Sequence, residues 1–187
     1  MRAEFEARRG ALKFDHLVFL DESGMRLGEG QRYRWAPREK RVYGSAKHAP
    51  WKTVTMIGAM AADGIRAFVN IEATTTGDVF RGFVEQHLAR TLQVGDCVVM
   101  DNLSAHKDRR AIEVIRQVGA TVLVLPPYSP DWNPIEKLWS KIKEFVRRQV
   151  TDTRPMFDDE VGKAIGNIKT SDLLGWIRHC GYEVTSH

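Results

Sequence analysis

The chain has 187 residues, a net charge of +4, and 43% hydrophobic against 28% charged residues, a globular rather than a disordered composition. No apolar run approaches the roughly 18 residues of a membrane span, and Met1 to Gly10, which carries Glu6, Arg8 and Arg9, lacks the apolar core of a secretory leader. Cys97 and Cys180 stand far apart with no C-x-x-C pair; this argues against a disulfide framework or a zinc site and fits reduced cysteines of a cytoplasmic protein.

In chain order, Arg2 to Leu12 reads as a charged helical extension. His16-Leu-Val-Phe-Leu20 is a β-rich run expected to end at Asp21-Glu-Ser-Gly24. Gly28 and Gly30 are followed by Tyr33, so the dinucleotide-binding glycine pattern fails. Arg32 to Trp35 reads as a short strand stopped by Pro37. Thr53 to Ala61 and Ile65 to Ile71 flank Ala62-Asp63-Gly64, a hairpin signal. Over Thr76 to Leu92 the period becomes helical, with Val79, Phe80, Phe83, Val84, His87 and Leu88 on one face.

Cys97 to Met100 then reads as a short buried strand ending at Asp101. Lys107 to Val118 is helical with Ile112, Ile115 and Val118 inward, and Thr121 to Leu125 is a buried strand closed by Pro126-Pro127. Pro134 to about Val150 is an amphipathic helix, and Ser171 to Arg178 a last one. Strands followed by alternating strands and helices predict an α/β fold with a mixed sheet flanked by helices. The expected organisation is a single domain over 1–187, with a core at about 14–150, an N-terminal helical extension at 1–13 and a C-terminal helical tail at 151–187.

Asp21 and Asp101 each follow an apolar run, which places their carboxylates at the rim where α/β sheets bind ligands. An aspartate after a strand also serves turns and caps. If the two strands are neighbours, the carboxylates repel unless one protonates or a hard divalent cation joins them. The third feature is Leu125-Pro-Pro-Tyr-Ser-Pro-Asp-Trp-Asn-Pro-Ile-Glu-Lys-Leu-Trp139, a proline-pinned approach to a helix, with Asn133 placed to cap it and Pro134 at its first turn. Ile135, Leu138, Trp139, Ile142, Phe145 and Val146 form the buried stripe. Glu136 lies beside that stripe, with Ser140, Lys143 and Arg147 following on its side of the helix. Favourable helix-dipole placement and a solvated basic face account for those charges too, but not for the rigid approach.

These three segments, Phe-Leu-Asp21-Glu-Ser-Gly, Val-Met-Asp101-Asn-Leu-Ser-Ala-His106 and Pro-Pro-Tyr-Ser-Pro-Asp-Trp-Asn-Pro-Ile-Glu136-Lys-Leu-Trp, resemble the catalytic motifs of bacterial insertion-sequence transposases of the Tc/mariner superfamily, the DDE type. Their order agrees, as do the 34 residues between Asp101 and Glu136, and the resemblance spans about residues 15–150. Two positions depart from it: Glu39 where the family often has Gly, and Trp132 where it often has Leu.

The resemblance implies a ribonuclease H-like (retroviral integrase-like) fold in which Asp21, Asp101 and Glu136 bind two magnesium or manganese ions. It further implies cleavage and strand transfer at transposon ends, and a homodimer on DNA. The helix-turn-helix domains with which such transposases read their ends find no room in this chain, which implies either a separate N-terminal helix-turn-helix polypeptide or a catalytic fragment of a longer product. Asn102 and His106 adjoin the second aspartate; His106 suits a phosphate-orienting or proton-transfer role, or plain loop packing. Lys143 and Arg147 suit phosphate contacts. Trp35, Trp132 and Trp139 are candidate base-stacking rings, although Trp139 lies on the core stripe.

Overall fold

The computed structural model describes residues 5, 14–29, 52–104, 106 and 108–183. The strands are β1 (Leu17–Arg26), β2 (Thr53–Ala61), β3 (Gly64–Ile71), β4 (Cys97–Met100) and β5 (Thr121–Val124). The helices are α1 (Gly77–Phe83), α2 (Arg109–Gln117), α3 (Ile135–Arg147), α4 (Arg154–Gly166) and α5 (Thr170–His179). The sheet order is β3-β2-β1-β4-β5. β1 pairs antiparallel with β2 and β2 with β3, while β4 pairs parallel with both β1 and β5. The mixed α/β sheet is as expected. The predicted strand at Arg32 to Trp35, Glu39, and the extension at Arg2 to Leu12 (Phe5 apart) lie outside the described residues.

Two apolar clusters cover the two faces, and strand alternation sorts the side chains between them. Leu17 and Phe19 of β1 and Cys97 and Val99 of β4 pack with Trp139, Ile142, Phe157 and Ile177 of α3, α4 and α5. Val18, Leu20, Val98 and Met100 pack on the other face with Phe80, Leu88 and Ile115. Polar ties fasten the helices of the first face. Asn70 Nδ2 on β3 donates to Asp158 Oδ1 of α4 at 2.8 Å, and Lys141 of α3 pairs with Asp172 of α5 at 2.6 Å.

Several boundaries differ from the expectation. β1 does not stop at Asp21: β2 is long enough to pair with it as far as Arg26↔Thr53, and this pairing overrides the turn-like Glu-Ser-Gly sequence. β5 is an edge strand, so Val124 is 42% exposed rather than buried. The helix predicted over Thr76 to Leu92 is capped by Thr76, whose side chain accepts from Val79 N, but after Phe83 it widens into a π turn over Val84–Leu88. A π turn holds more residues than an α turn, and His87 is rotated off the apolar face to solvent. α2 starts at Arg109 because the Asp108 side chain caps it through Ala111 N. The expected helical tail at 151–187 contains α4 ahead of the predicted Ser171 to Arg178 helix; Thr153 caps α4 and Pro155 sits in its first turn.

Candidate active site

The ladder between β1 and β4 ends at Leu20↔Met100; Asp21 is the next residue on β1, and Asp101 directly follows the last residue of β4. Asp21 and Asp101 continue the series of Leu17 and Phe19 and of Cys97 and Val99, so both belong to the face that α3 covers. α3 carries Glu136 in its first turn. The three carboxylates line one cavity of about 420 Å³, with Asn102, Pro126, Tyr128 and Asn133 among its other walls. The sequence motifs are thus brought together from three separate elements.

The site carries an excess of negative charge. Asp21 is 6% exposed, and burial first, then Glu136, push its carboxyl up to about 7, with the Glu22 and Asp101 carboxylates adding to the rise against a hydrogen bond from the Glu22 backbone N–H. Burial also raises Glu136, against the pull of Lys143, with Asp101 adding to the rise. Asp101 goes the other way: burial would raise it, but hydrogen bonds from His106 and from Leu103 N outweigh that and hold it below the ordinary range. Lys143 is lowered by burial and by Arg147, while Glu29, Glu136 and Asp21 act in the opposite sense. Its ammonium therefore lies within the field of the triad.

Two side chains secure the aspartates. Trp139, fully packed on the core stripe, donates its indole Nε1–H to Asp21 Oδ2 at 3.2 Å. Its ring fits because Gly58, the β2 partner of Asp21, has no side chain; a Cβ there would lie 2.9 Å from Trp139 Cη2. His106, 1% exposed, binds Asp101 Oδ1 through Nδ1 at 2.6 Å and Glu22 Oε2 through Nε2 at 2.7 Å. Burial would lower its pKa, but the two carboxylates raise it to about 9, the direction expected of a ring whose two nitrogens both face carboxylate oxygens. Sequence reasoning named His106 but missed Glu22 and the Trp139 bond. Strand alternation sends Glu22 to the opposite face from Asp21, where His106 waits.

The remaining candidates are placed as follows. Asn102 is exposed at the cavity. Lys143 is half-buried on α3, and Arg147 donates to Glu29 Oε1 at 3.0 Å. Trp132 is buried and stacks on Phe5 at 5.0 Å, and Trp139 is buried too, so neither ring is presented for base stacking. Trp35 lies outside the described residues. The aromatic that does face solvent at the cavity is Tyr128, 97% exposed and held at φ 56, a left-handed conformation that costs a residue with a Cβ roughly 1–2 kcal/mol. Asn133 does not cap α3 as expected. Pro134 holds the cap position without a side-chain bond, and Asn133 Oδ1 is buried with no hydrogen-bond partner.

Among the described residues, no three His, Cys, Asp or Glu side chains stand close enough together to hold a metal ion as they are placed. The donor set nevertheless fits a hard divalent cation. Three carboxylates line one cavity together with Asn133, whose Oδ1 is buried without a partner, oxygen donors are what magnesium and manganese prefer, and the Glu136 side chain is exposed on the first turn of α3.

The family model described as DDE superfamily endonuclease matches residues 16–156. Among solved structures, the Mos1 transposase paired-end complex with left transposon end aligns at 15% identity and TM-score 0.79, covering 95% of this chain and 56% of that one. The catalytic domain of Mos1 mariner transposase aligns at 14% identity and TM-score 0.71, covering 95% and 83%. The chain therefore spans little more than half of the Mos1 chain in the paired-end complex. No curated protein matches the sequence. The fold is that of the Mos1 transposase catalytic domain, the ribonuclease H-like fold expected from the motifs. The chain belongs to the DDE superfamily endonuclease family. Among the described residues no helix is long and apolar enough to cross a membrane.

Proposed function

We propose that this chain is the catalytic part of a Tc/mariner-type insertion-sequence transposase, in which Asp21, Asp101 and Glu136 hold two magnesium or manganese ions and cut and join DNA at transposon ends. The observation that carries this reading is the single cavity lined by three carboxylates from β1, the end of β4 and the first turn of α3, with Asp21 pushed up to about 7. That charge excess is what a pair of divalent ions would neutralise. Mos1 itself has been solved as paired-end complexes with Mn and with Mg.

Bound ions would supply an activated water or 3′-hydroxyl and would neutralise charge on the attacking and leaving oxygens. The chain's own residues do the rest. Trp139 fixes the Asp21 carboxylate by its indole N–H, and His106 fixes Asp101. Lys143, drawn by Glu136 and Asp21, is placed to meet a phosphate, a contact that positions DNA without reading sequence. Arg147 reaches DNA only by giving up Glu29. Tyr128 stands at the mouth as a stacking platform for a base next to the scissile phosphate. No protein nucleophile is needed. The partners in this reading are transposon-end and target DNA, a second copy of the chain, and a separate helix-turn-helix polypeptide in the bacterial cytoplasm.

The test is to assemble the chain with its upstream polypeptide on terminal-repeat DNA with Mn²⁺ and to look for nicked and joined strands. Joined products absent from Asp101→Asn and Glu136→Gln establish the reading. Nicks alone convert it to a structure-specific nuclease, and binding without either to a non-catalytic descendant.

A further inference from the structure

Asp21 and Asp101 must keep a fixed spacing if they are to share ions, yet the parallel pairing of β1 with β4 ends one residue before them, at Leu20↔Met100. Side chains take over where the backbone ladder stops. Glu22, next after Asp21 on β1, projects through the sheet to the opposite face. There His106 lies against the Phe80 ring, centroids 4.7 Å apart. One imidazole nitrogen binds Glu22 Oε2 at 2.7 Å and the other binds Asp101 Oδ1 at 2.6 Å. The bridge thus runs from β1 through a buried ring to the end of β4.

Its geometry at Asp101 is selective. The bonds from His106 Nδ1 and from Leu103 N both fall on Oδ1, so Oδ2 is the oxygen free for another ligand. An apolar side chain would fill the space beside Phe80 without burying two ring nitrogens that must each find a partner, so packing alone does not explain a histidine here. Histidine–carboxylate pairs outside a coordination shell are a common way to fix ligand orientation and affinity.

We propose that Glu22 and His106 form a positioning clamp that holds Asp101 beside Asp21 where strand pairing has ended, presenting Asp101 Oδ2 to a divalent cation. The clamp rests on the metal-binding reading of the triad. Neither residue touches substrate; both act through Asp101.

The experiment is a Mn²⁺ titration of the full chain, followed by calorimetry and by the electron paramagnetic resonance of free Mn²⁺. It compares wild type with His106→Leu, His106→Gln and Glu22→Ala, each also melted in EDTA. The clamp predicts that His106→Leu, folded in EDTA, loses roughly 10- to 100-fold in Mn²⁺ affinity. Glu22→Ala loses about 10-fold, and His106→Gln, whose amide still donates to Asp101, recovers much of the loss. A folded His106→Leu that binds Mn²⁺ as tightly as wild type overturns the clamp. If His106→Leu does not fold, unchanged affinity in Glu22→Ala, whose side chain is less buried than that of His106, overturns it instead. Wild type that takes up no Mn²⁺ removes the metal reading and the clamp together, whereas a binding wild type with indifferent variants removes the clamp alone.

Discussion

Replacing Asp21 with Asn should stabilise the metal-free protein, and by an amount that depends on pH. The Asp21 carboxyl is 6% exposed and raised from 3.8 to about 7, chiefly by burial and then by Glu136. A carboxyl whose folded pKa lies above its unfolded one leaves stability intact below the unfolded value. Stability is then lost as pH climbs between the two, and the loss is constant above the folded value. At 1.36 kcal/mol for each pH step over that interval, ionised Asp21 costs about 4 kcal/mol at pH 8 and less than about 1 kcal/mol at pH 4. Asparagine keeps the shape, and its Oδ1 can still accept from Trp139 Nε1. Urea unfolding of both proteins in EDTA should therefore show Asp21→Asn ahead by about 3–4 kcal/mol at pH 8, narrowing to under about 1 kcal/mol at pH 4. Saturating Mg²⁺ should reverse the order, because only wild type gains binding free energy in its native state. An Asn variant no more stable than wild type at pH 8, or a gain that does not shrink on acidification, would refute the account of a charge-strained site.

Gly58→Ala should cost about 1–3 kcal/mol in thermal melts, because its Cβ would meet the buried Trp139 ring at 2.9 Å and Phe68 at 3.2 Å; an unchanged melting temperature would contradict the packing described. Tyr128→Gly relieves the left-handed backbone while removing the exposed ring. Its stability should stay within about 1 kcal/mol of wild type, and its affinity for frayed transposon ends should fall by about 1–3 kcal/mol for each base stacked, as read by fluorescence anisotropy. Lys143→Ala should lower the slope of log affinity against log salt by about 1 without changing sequence preference; an unaltered slope would take Lys143 off the DNA.

Local signals made much of this architecture legible. Asp63-Gly64 between apolar runs gave the β2–β3 hairpin, the valines before Asp101 gave β4, and the stripe from Ile135 to Val146 gave α3 with Glu136 in its first turn. Errors arose where tertiary pairing overrode a local cue. Glu22-Ser23-Gly24 has turn chemistry, yet β2 holds it in an extended ladder. His87 fits an ideal helical face, yet the π turn rotates it outward. In the site, the carboxylates were readable because strand ends announce themselves, but the groups that fix them were less so. Trp139 meets its packing need and its bond to Asp21 with one ring, and only the first has a periodic signature. Glu22 was recoverable in principle, since alternation puts it opposite Asp21, but its partner is distant in sequence.

The chain beyond the family match has a bearing on the same chemistry. Tyr182, buried after α5 and set edge-on to Phe19 of β1, donates its hydroxyl to the Trp132 carbonyl at 2.8 Å. That carbonyl belongs to the short turn Pro130–Trp132 from which α3 and Glu136 depart. The C-terminal segment is thus a buttress for the turn from which Glu136 is launched. Removing it should loosen the aim of Glu136 before it unfolds the sheet, so a residue far along the chain tunes the geometry of the carboxylate cavity.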